Sequence, residues 1–319
     1  MVFISTKIIN GKKRYYLEKS VRLPSGNIKK FSIYLKDYKP NKKINIKNYE
    51  SLLDTKISNE IIFLSGEPYH KGHIYNKKLI QRLEEIKFDY KKIIKKLTKN
   101  QLKDVLDRFT VNFTYESNAL EGNSLTLKDV TMVLQENQII KGKNLREIYE
   151  TINTREAIDL IFRNKLKINR EGILKLHKVL VKNTEVAFGF KKLPNFLIGR
   201  EIKTTPPERV EKEIGDLIEW YHKDKNMHPL QKAIIFHGRF EKIHPFDDGN
   251  GRVGRLLINI ILLSNGYAPL IIRKTHKASY FSALEAFDKG YEDKLHRFII
   301  EKYKKTYDGF FKVYLAYLK

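Results

Sequence analysis

A loop that runs into an apolar helix constrains this 319-residue chain more than any other feature. The loop and the start of the helix read His244-Pro-Phe-Asp-Asp-Gly-Asn-Gly-Arg-Val-Gly-Arg255. Apolar residues then recur at helical spacing: Val253, Leu256, Leu257, Ile260 and Ile261. This spacing predicts a helix with one apolar face, opened by the Gly-Asn-Gly turn.

The start of this helix is suited to binding an anion. Backbone N–H groups in the first turn of a helix lack partners and lie at its positive end. Because Gly249 and Gly251 have no Cβ, phosphate oxygens can approach the backbone closely. Arg252 and Arg255 are three residues apart, so both guanidinium groups project from one face and can hold phosphate or carboxylate oxygens.

Two further side chains supply what the transfer of a phosphate-linked group needs. Asp248 lies just before the turn, where a carboxylate can hold Mg²⁺ that bridges two phosphates. His244 lies on the incoming loop, and the ordinary histidine pKa of about 6.5 suits a general base near neutral pH. Each feature alone is common in proteins without such a site. Their occurrence together, in this order, predicts a site for phosphate chemistry.

The segment matches the Fic family motif, H-x-F-x-[DE]-G-N-G-R-x-x-R, at every specified position. Fic proteins mostly transfer AMP from ATP to a hydroxyl side chain of a target protein. The resemblance therefore implies a protein adenylyltransferase that uses Mg-ATP, with His244 deprotonating the hydroxyl and Asp248 holding Mg²⁺. It assigns the phosphates of ATP to Gly249, Asn250, Gly251, Arg252 and Arg255. Gly251 stands where the related Doc-type kinases carry Lys, which favours nucleotidyl transfer over phosphorylation.

A second motif lies in Thr114-Tyr-Glu-Ser-Asn-Ala-Leu-Glu-Gly-Asn123. Ser117 and Glu121 are four residues apart, on one face of a helix that Gly122 is suited to end. The run resembles the Fic inhibitory motif, [ST]-x-x-x-E-[GN], placed N-terminal to the core as in the second regulatory class. The resemblance implies that Glu121 pairs with Arg255 and withholds it from the γ-phosphate. In some proteins of this class the same Glu positions a water that removes AMP, so a bifunctional or de-AMPylating enzyme is the nearest alternative.

The fold class that these patterns predict is mainly α, a Fic-type helical bundle with a short β-hairpin flap. Helical spacing predicts helices at about 100–120, 126–137, 144–164, 170–183, 207–224, 228–243, 251–265, 277–288 and 291–316. The strands of the flap are predicted at 196–198 and 201–203, on either side of Gly199-Arg200. In Fic proteins such a flap aligns the target segment as an added strand. Lys191 and Lys192 depart from the family, which often has Arg there.

The helix after the catalytic segment is expected to contribute to the nucleotide pocket. Residues 278–284 resemble the family's Y-[YF]-x-x-L helix. The resemblance implies that Tyr280 and Phe281 wall the adenine pocket and that Asp288 reaches the edge of the base. Asp288 stands where some relatives place Asn.

The first hundred residues precede the part that resembles Fic proteins. Residues 14–23 and 28–35, joined by a Pro-Ser-Gly-Asn turn, predict a basic β-hairpin with interleaved aromatic residues. A helical stretch with a break near residues 65–72 follows. The expected domains are a hairpin region at 1–45, a helical extension or linker at 46–99, and a Fic domain at 100–319 with its inhibitory helix at about 110–122.

The charge of the chain suggests a second class of function. The formal net charge is +25, and residues 1–50 carry 13 Lys or Arg residues against three acidic ones. A basic hairpin with aromatic residues suits nucleic-acid backbones. Because basic residues are abundant throughout, the composition favours a generally lysine-rich surface. A nucleic-acid-binding regulator with a Fic core is a lower-ranked alternative, since no catalytic position of the motif is missing.

Composition also bears on partners and setting. The chain has no cysteine, which excludes disulfides and thiolate metal sites. Its N-terminus lacks the apolar run of a signal peptide, and no uninterrupted apolar stretch is long enough to span a membrane. We therefore expect a cytoplasmic protein with no membrane partner. The expected partner is a target protein with an acceptor hydroxyl, the chain itself included, and dimers are common in this regulatory class.

Overall fold

The computed structural model describes residues 2–23, 25–36, 38, 46–69, 73–136, 138–195, 204–224 and 226–317. The chain forms two compact units, Met1–Phe88 and Asp89–Lys319. The first combines a small sheet with helices, and the second is helical throughout its described elements. The predicted mainly α fold is confirmed. Within the described ranges, no helix is both long and apolar enough to cross a membrane.

The sheet of the first unit has three antiparallel strands in the order β1-β2-β3. Their bounds are Val2–Ile9, Lys12–Arg22 and Ile28–Tyr34. Alternate residues of each strand point to one face. That face packs against helix α1, Ile46–Gly66, in a core that includes Leu17, Phe31 and Leu53. The predicted hairpin of β2 and β3 is confirmed.

The prediction of a two-stranded region was incomplete, because β1 adds a third strand. β1 and β2 are joined by a two-residue turn at Asn10 and Gly11, both with positive φ (52° and 71°). Two consecutive positive φ values characterise the type I′ turn, whose twist matches that of a hairpin, and Asn-Gly is its preferred sequence. Helix α1 packs on this sheet, and the domain division expected after residue 45 stays a prediction. A short 3₁₀ turn, Glu67–Tyr69, and helix α2, Lys77–Lys96, follow α1.

The second unit is built from helices that agree closely with the predicted ones. They are α3 Lys99–Leu120, α4 Leu127–Gln135, α5 Leu145–Phe162, α6 Arg170–Leu180, α7 Pro207–Lys223, α8 Pro229–Ile243, α9 Asn250–Ser264, α10 Lys277–Asp288, α11 Asp293–Phe310 and α12 Val313–Tyr317. The single helix predicted at 291–316 is thus wrong. The chain turns at Phe311, whose ring is fully buried 5.1 Å from that of Tyr90 and 6.1 Å from that of Phe109.

Helix α9 lies at the centre of this unit. It packs against α3, α5, α6 and α8, and its residues from Arg252 to Leu262 are all buried. The prediction of one apolar face was therefore too narrow, because a helix that is buried all round is a core helix. Its N-terminus adjoins the side chains of Asp248, which is half-buried, and Glu121, which is exposed.

The close approach of α8 to α10 positions the loop that precedes α9, and it depends on Gly238. A Cβ at Gly238 would lie 2.6 Å from the ring of Phe287 on α10, whereas nothing lies within 4 Å of a Cβ at Gly215 on α7. We expect Gly238→Ala to lower the free energy of unfolding by about 1–3 kcal/mol through overpacking, despite the better helix propensity of Ala.

The matched variant Gly215→Ala should instead raise the free energy of unfolding by roughly 0.5–1 kcal/mol. Urea unfolding of the two variants measures the difference. If Gly238→Ala is as stable as Gly215→Ala, the packing of α8 on α10 is looser than described.

Candidate active site

The loop from His244 to Gly249 begins where α8 ends. His244 adopts a left-handed backbone conformation, φ 50° and ψ 62°, and its N–H donates to the carbonyl of Phe240 at 3.0 Å. A non-glycine residue in this region costs about 1–3 kcal/mol, so the surrounding structure must enforce it. The imidazole Nδ1 lies 3.3 Å from the carbonyl of Glu241. When Nδ1 carries the proton and donates it to this carbonyl, Nε2 keeps a lone pair that can accept one.

The side chain of Asn250 closes this loop. Its Oδ1 accepts from the N–H of Phe246 at 2.9 Å, and its Nδ2 donates to the carbonyl of the same residue at 2.7 Å. The ring of Phe246 is fully buried. The amide of Asn250 is therefore engaged in the loop, and only its backbone N–H remains for the predicted contact with phosphate.

His177 on α6 is a further residue of the site that the sequence did not reveal. Its ring stacks on that of Phe246 with centroids 3.8 Å apart, and its Nε2 donates to the carbonyl of Asp248 at 3.1 Å. Its Nδ1 accepts from the N–H of Gly189 at 3.4 Å. Burial lowers the pKa of His177 to about 4, so the ring is neutral at pH 7 and keeps both contacts. A buried histidine on an apolar helix face gives no signal in one sequence.

The N-terminus of α9 carries no side-chain cap. Gly249 occupies the N-cap position with φ 84°, a conformation that favours glycine, and its residue type supplies no side-chain acceptor. The carboxylate of Glu121 lies directly beside this helix end: a Cβ at Gly251 would be 2.2 Å from its Oε1. A negative group is thus already placed where the positive end of the helix attracts one.

The guanidinium of Arg255 binds both residues of the second motif. Its Nε donates to Ser117 Oγ at 3.0 Å, and its Nη2 donates to the Ser117 carbonyl at 2.9 Å and to Glu121 Oε1 at 2.7 Å. The side chain of Arg255 is only 2% exposed. Its Nη1 is buried and makes no hydrogen bond to protein in the described part of the chain. The residues that the two motifs predicted to meet therefore do meet.

Arg252 belongs to a separate group of charges, which includes Glu150 and Arg146, two residues that the sequence did not single out. The guanidinium of Arg252 lies 3.2 Å from Glu150 Oε1 and 3.4 Å from Asp248 Oδ1. Arg146, also on α5, contacts Asp248 and lies 3.3 Å from Glu150. The Asp248 side chain is 39% exposed at the entrance to α9. One accessible carboxylate beside the N-terminus of a helix fits Mg²⁺, which usually takes one or two carboxylates and completes its shell with phosphate oxygens and waters.

The same part of α5 also binds the segment that connects α3 to α4, just after Glu121. Asn123 Nδ2 donates to Glu150 Oε2 at 3.1 Å and to the carbonyl of Glu147 at 3.2 Å. Ser124 Oγ donates to Glu147 Oε2 at 2.9 Å. Glu150 therefore joins the end of α3 to Arg252 on α9, so that the two motifs are linked through α5 as well as directly.

Lys191 anchors the chain on both sides of the segment in which the flap was predicted. The flap itself, residues 196–203, lies outside the described residues. The buried Nζ of Lys191 donates to Asn195 Oδ1 at 2.7 Å and to Thr204 Oγ1 at 3.0 Å. Its backbone N–H donates to the carbonyl of Pro245 at 2.9 Å, and Asn195 Nδ2 donates to the carbonyl of Phe246 at 2.9 Å. Lys191, which stands where the family often has Arg, thus joins both ends of the predicted flap segment to the loop before α9.

The three residues predicted to form the adenine pocket lie on α10. Tyr280 is fully buried, its hydroxyl is 2.7 Å from Nε2 of His237, and its ring stacks on that of Phe298. Phe281 and Asp288 are half-buried on the same helix. Contact of Tyr280 with adenine would require its neighbours to move. The assignment of these three residues to an adenine pocket stays a prediction.

This geometry yields a test of the anion site that does not depend on catalysis. Removing the carboxylate with Glu121→Gly should strengthen the binding of inorganic pyrophosphate by about tenfold or more, because a charge-assisted contact of roughly 1.5–3 kcal/mol no longer competes. The measurement is the rise in Tm with pyrophosphate concentration. Glu136→Gly is the matched control, since Glu136 occupies the C-cap position of α4 as Glu121 does that of α3. Equal affinities of the two variants would show that Glu121 does not occupy the site.

Comparison with known proteins agrees with this site. Residues 167–262 match the Fic/DOC family. Protein adenylyltransferase fic-1 of Caenorhabditis briggsae is 31% identical over 188 residues, which are 56% of this chain and 36% of that protein. A probable protein adenylyltransferase of Aquifex aeolicus is 32% identical over 194 residues, 59% of this chain and 58% of that protein. The chain thus spans about a third of the length of the first relative and somewhat more than half of the second.

Solved structures show the same fold. A Fic-domain-containing signaling protein of Bacteroides thetaiotaomicron superposes with a TM-score of 0.65 at 23% identity, over 71% of this chain and 94% of that one. Fic-1 of Caenorhabditis elegans, residues 134–508, superposes with a TM-score of 0.62 at 20% identity, over 85% of this chain and 93% of that one. The segment that matches the family, residues 167–262, includes the motif His244–Arg255 and the loop that enters α9. Residues 167–262 are therefore similar to the Fic/DOC family, and the chain has the fold of the solved Fic structures.

Proposed function

We propose that this chain transfers AMP from Mg-ATP to a hydroxyl side chain of a protein, and that Glu121 holds it mostly inactive. The observation that carries the proposal is the uncapped N-terminus of α9, around which His244, Asp248 and Arg255 converge. Two relatives with which the chain shares this domain are named protein adenylyltransferases, one of them as probable, which supports the same reaction. The acceptor is a Tyr, Ser or Thr of a target protein, the chain itself included.

The reaction begins with the phosphates of ATP on the first N–H groups of α9. Arg252 and Arg255 hold the outer phosphates once Glu121 has withdrawn. The acceptor oxygen attacks the α-phosphorus in line, so that the new P–O bond forms as the bond to the β-phosphate breaks and pyrophosphate leaves. Positioning and charge stabilisation account for most of the rate enhancement in reactions of this kind.

His244 receives the proton of the attacking hydroxyl. Its Nδ1 faces the carbonyl of Glu241, which favours the tautomer with the lone pair on Nε2. The left-handed backbone at His244 turns the chain from α8 into the loop. The loop contacts of Phe246 and Asn250 then fix the distance between this residue and the start of α9.

Asp248 would hold the Mg²⁺ that accompanies ATP. When bound, Mg²⁺ neutralises charge on the phosphates and thereby assists departure of pyrophosphate. Asp248 contacts Arg146 and Arg252. These two arginines direct the carboxylate toward the entrance of α9.

The contact of Glu121 with Arg255 accounts for the inactive state. A hydrogen bond between charged groups is worth about 1.5–3 kcal/mol, and about 1.4 kcal/mol changes an equilibrium tenfold. The open arrangement is then populated to about ten per cent or less. Glu121 also places its carboxylate against Gly251, where the phosphates bind. It therefore competes with ATP both for the arginine and for the helix end.

The activity and its inhibition are tested by the incorporation of AMP from α-labelled ATP with Mg²⁺, into the chain itself and into proteins of a cell lysate. We expect Glu121→Gly to incorporate about tenfold more label than the wild type, because Arg255 and the helix end become available. Glu136→Gly, the matched control, should label as the wild type does.

The double variant Glu121→Gly, His244→Ala distinguishes the base from the binding site. It should lose labelling and still bind ATP. Labelling as strong as that of Glu121→Gly would remove His244 as the base, and equal labelling by wild type and Glu121→Gly would refute inhibition. Absence of label from every protein with every variant would refute AMP transfer and favour a regulatory role for the Fic core.

The same glutamate supports removal of AMP as a second candidate activity. One oxygen of Glu121 binds Arg255, yet about a third of its side chain remains exposed beside the phosphate site, where it could orient a water. If the chain is bifunctional, the wild type should release AMP from a protein labelled by the Glu121→Gly variant, whereas Glu121→Gln, which lacks the carboxylate, should not. If the labelled protein keeps all of its AMP in the presence of the wild type, removal of AMP is excluded and transfer is the activity at this site.

A further inference from the structure

The outer face of the N-terminal sheet, which does not pack on α1, carries an unusual set of side chains. We define it by the alternate residues that point to it: Phe3, Ser5, Lys7 and Ile9 on β1, Lys12, Arg14, Tyr16, Glu18, Ser20 and Arg22 on β2, and Ile28, Lys30, Ser32 and Tyr34 on β3. Three of these residues are aromatic and five are cationic. Phe3 is 44% and Tyr34 42% exposed. A sheet face that only needed hydration would not require exposed aromatic rings.

The aromatic residues lie at the middle of the face. Tyr16 is the cross-strand neighbour of Tyr34, and the two ring centroids are 5.4 Å apart. Phe3 lies opposite Glu18, one step further along the strands. Residues on one face of a strand repeat about every 6.7 Å, and strands are about 4.8 Å apart. The three rings therefore cover a patch that fits about two or three nucleotides.

Each ring has a cation close to it. Lys7 Nζ lies 4.7 Å from the centroid of Tyr16, and the guanidinium of Arg14 lies 5.8 Å from that of Tyr34. Lys30 Nζ lies 5.6 Å from the centroid of Phe3. A base that stacks on one of these rings would thus have a positive charge within reach of its phosphate.

The one carboxylate of the outer face is neutralised. Glu18 is fully covered, with Oε1 3.1 Å from Lys7 Nζ and Oε2 2.5 Å from Lys30 Nζ. Its burial would raise its pKa, but the contacts with the two lysines outweigh this and the pKa is lowered, so the group is ionised and paired at neutral pH. Five cations against this single acid leave the face positive, which is complementary to a phosphate backbone.

We propose that this outer face binds single-stranded nucleic acid, with bases on Phe3, Tyr16 and Tyr34 and phosphates at the surrounding cations. A single strand is favoured over a duplex because stacking on these rings needs unpaired bases, whose faces are accessible. The composition alone favoured a generally basic surface. The arrangement of the rings depends on β1, which brings Phe3 and Lys7 beside the aromatic residues of β2 and β3.

The aromatic residues are tested by fluorescence anisotropy of the full chain with a labelled oligothymidylate. The chain should bind the single strand more tightly than a duplex of the same length. Phe3→Leu with Tyr34→Leu keeps apolar side chains in the strands and should weaken binding of the single strand by about tenfold or more. Tyr291→Leu with Tyr317→Leu, two exposed tyrosines outside the sheet, should not change it. Equal loss in both double variants, or equal binding of single strand and duplex, would overturn the proposal.

A second pair of variants tests the cations. It keeps the proposal testable even if the variant Phe3→Leu with Tyr34→Leu does not fold. Lys12→Gln with Arg14→Gln should weaken binding of the oligonucleotide several-fold and reduce its dependence on salt. Lys212→Gln with Lys223→Gln removes the same charge from exposed positions of α7 and should have little effect. If both pairs act alike, attraction to the net charge explains the binding and the proposal fails. Stronger binding to phosphatidylserine vesicles than to the oligonucleotide, lost in the Lys12 and Arg14 variant, would assign the face to membranes instead.

Discussion

The buried guanidinium of Arg255 is the feature on which the site depends. A charge removed from water needs a partner, and an unpaired one is strongly destabilising. Burial by itself would lower the pKa of Arg255, but the carboxylate of Glu121, together with Tyr280 and Glu241, outweighs burial and the pKa is raised. The hydroxyl and carbonyl of Ser117 accept further hydrogen bonds from the Nε and Nη2 of Arg255. The requirement to pair this charge thus holds the end of α3 against the start of α9, and a γ-phosphate would satisfy the same requirement.

The loop before α9 is rigid because separate elements bind separate parts of it. α6 contributes His177, which holds the carbonyl of Asp248 and the ring of Phe246. The segment before the predicted flap contributes Lys191 and Asn195, which hold the carbonyls of Pro245 and Phe246. α9 itself contributes Asn250. An anion site whose donors are held in this way needs little reorganisation when a phosphate arrives.

Much of this could be predicted from the sequence, because local patterns determine it. The helices follow from apolar spacing, and the residues of the two motifs meet as expected because each motif places its side chains by helical periodicity. The contacts that cross between elements could not be predicted. The site depends on contacts of His177, Glu150 and Lys191 with residues that are distant in the sequence. A single sequence does not show which distant residues are neighbours in space. The strand β1 could have been predicted, since Asn10-Gly11 between runs rich in Ile and Tyr is a strong hairpin signal.

The central claim is that Glu121 and a nucleotide compete for Arg255. A double-mutant cycle on the affinity for ATP tests it directly, with Arg255→Gln measured in the wild-type and in the Glu121→Gly backgrounds. We expect Arg255→Gln to weaken ATP binding about tenfold or more when Glu121 is absent, and far less when Glu121 already occupies the arginine. The same loss of affinity in both backgrounds would show that the two residues act independently, and would contradict the account.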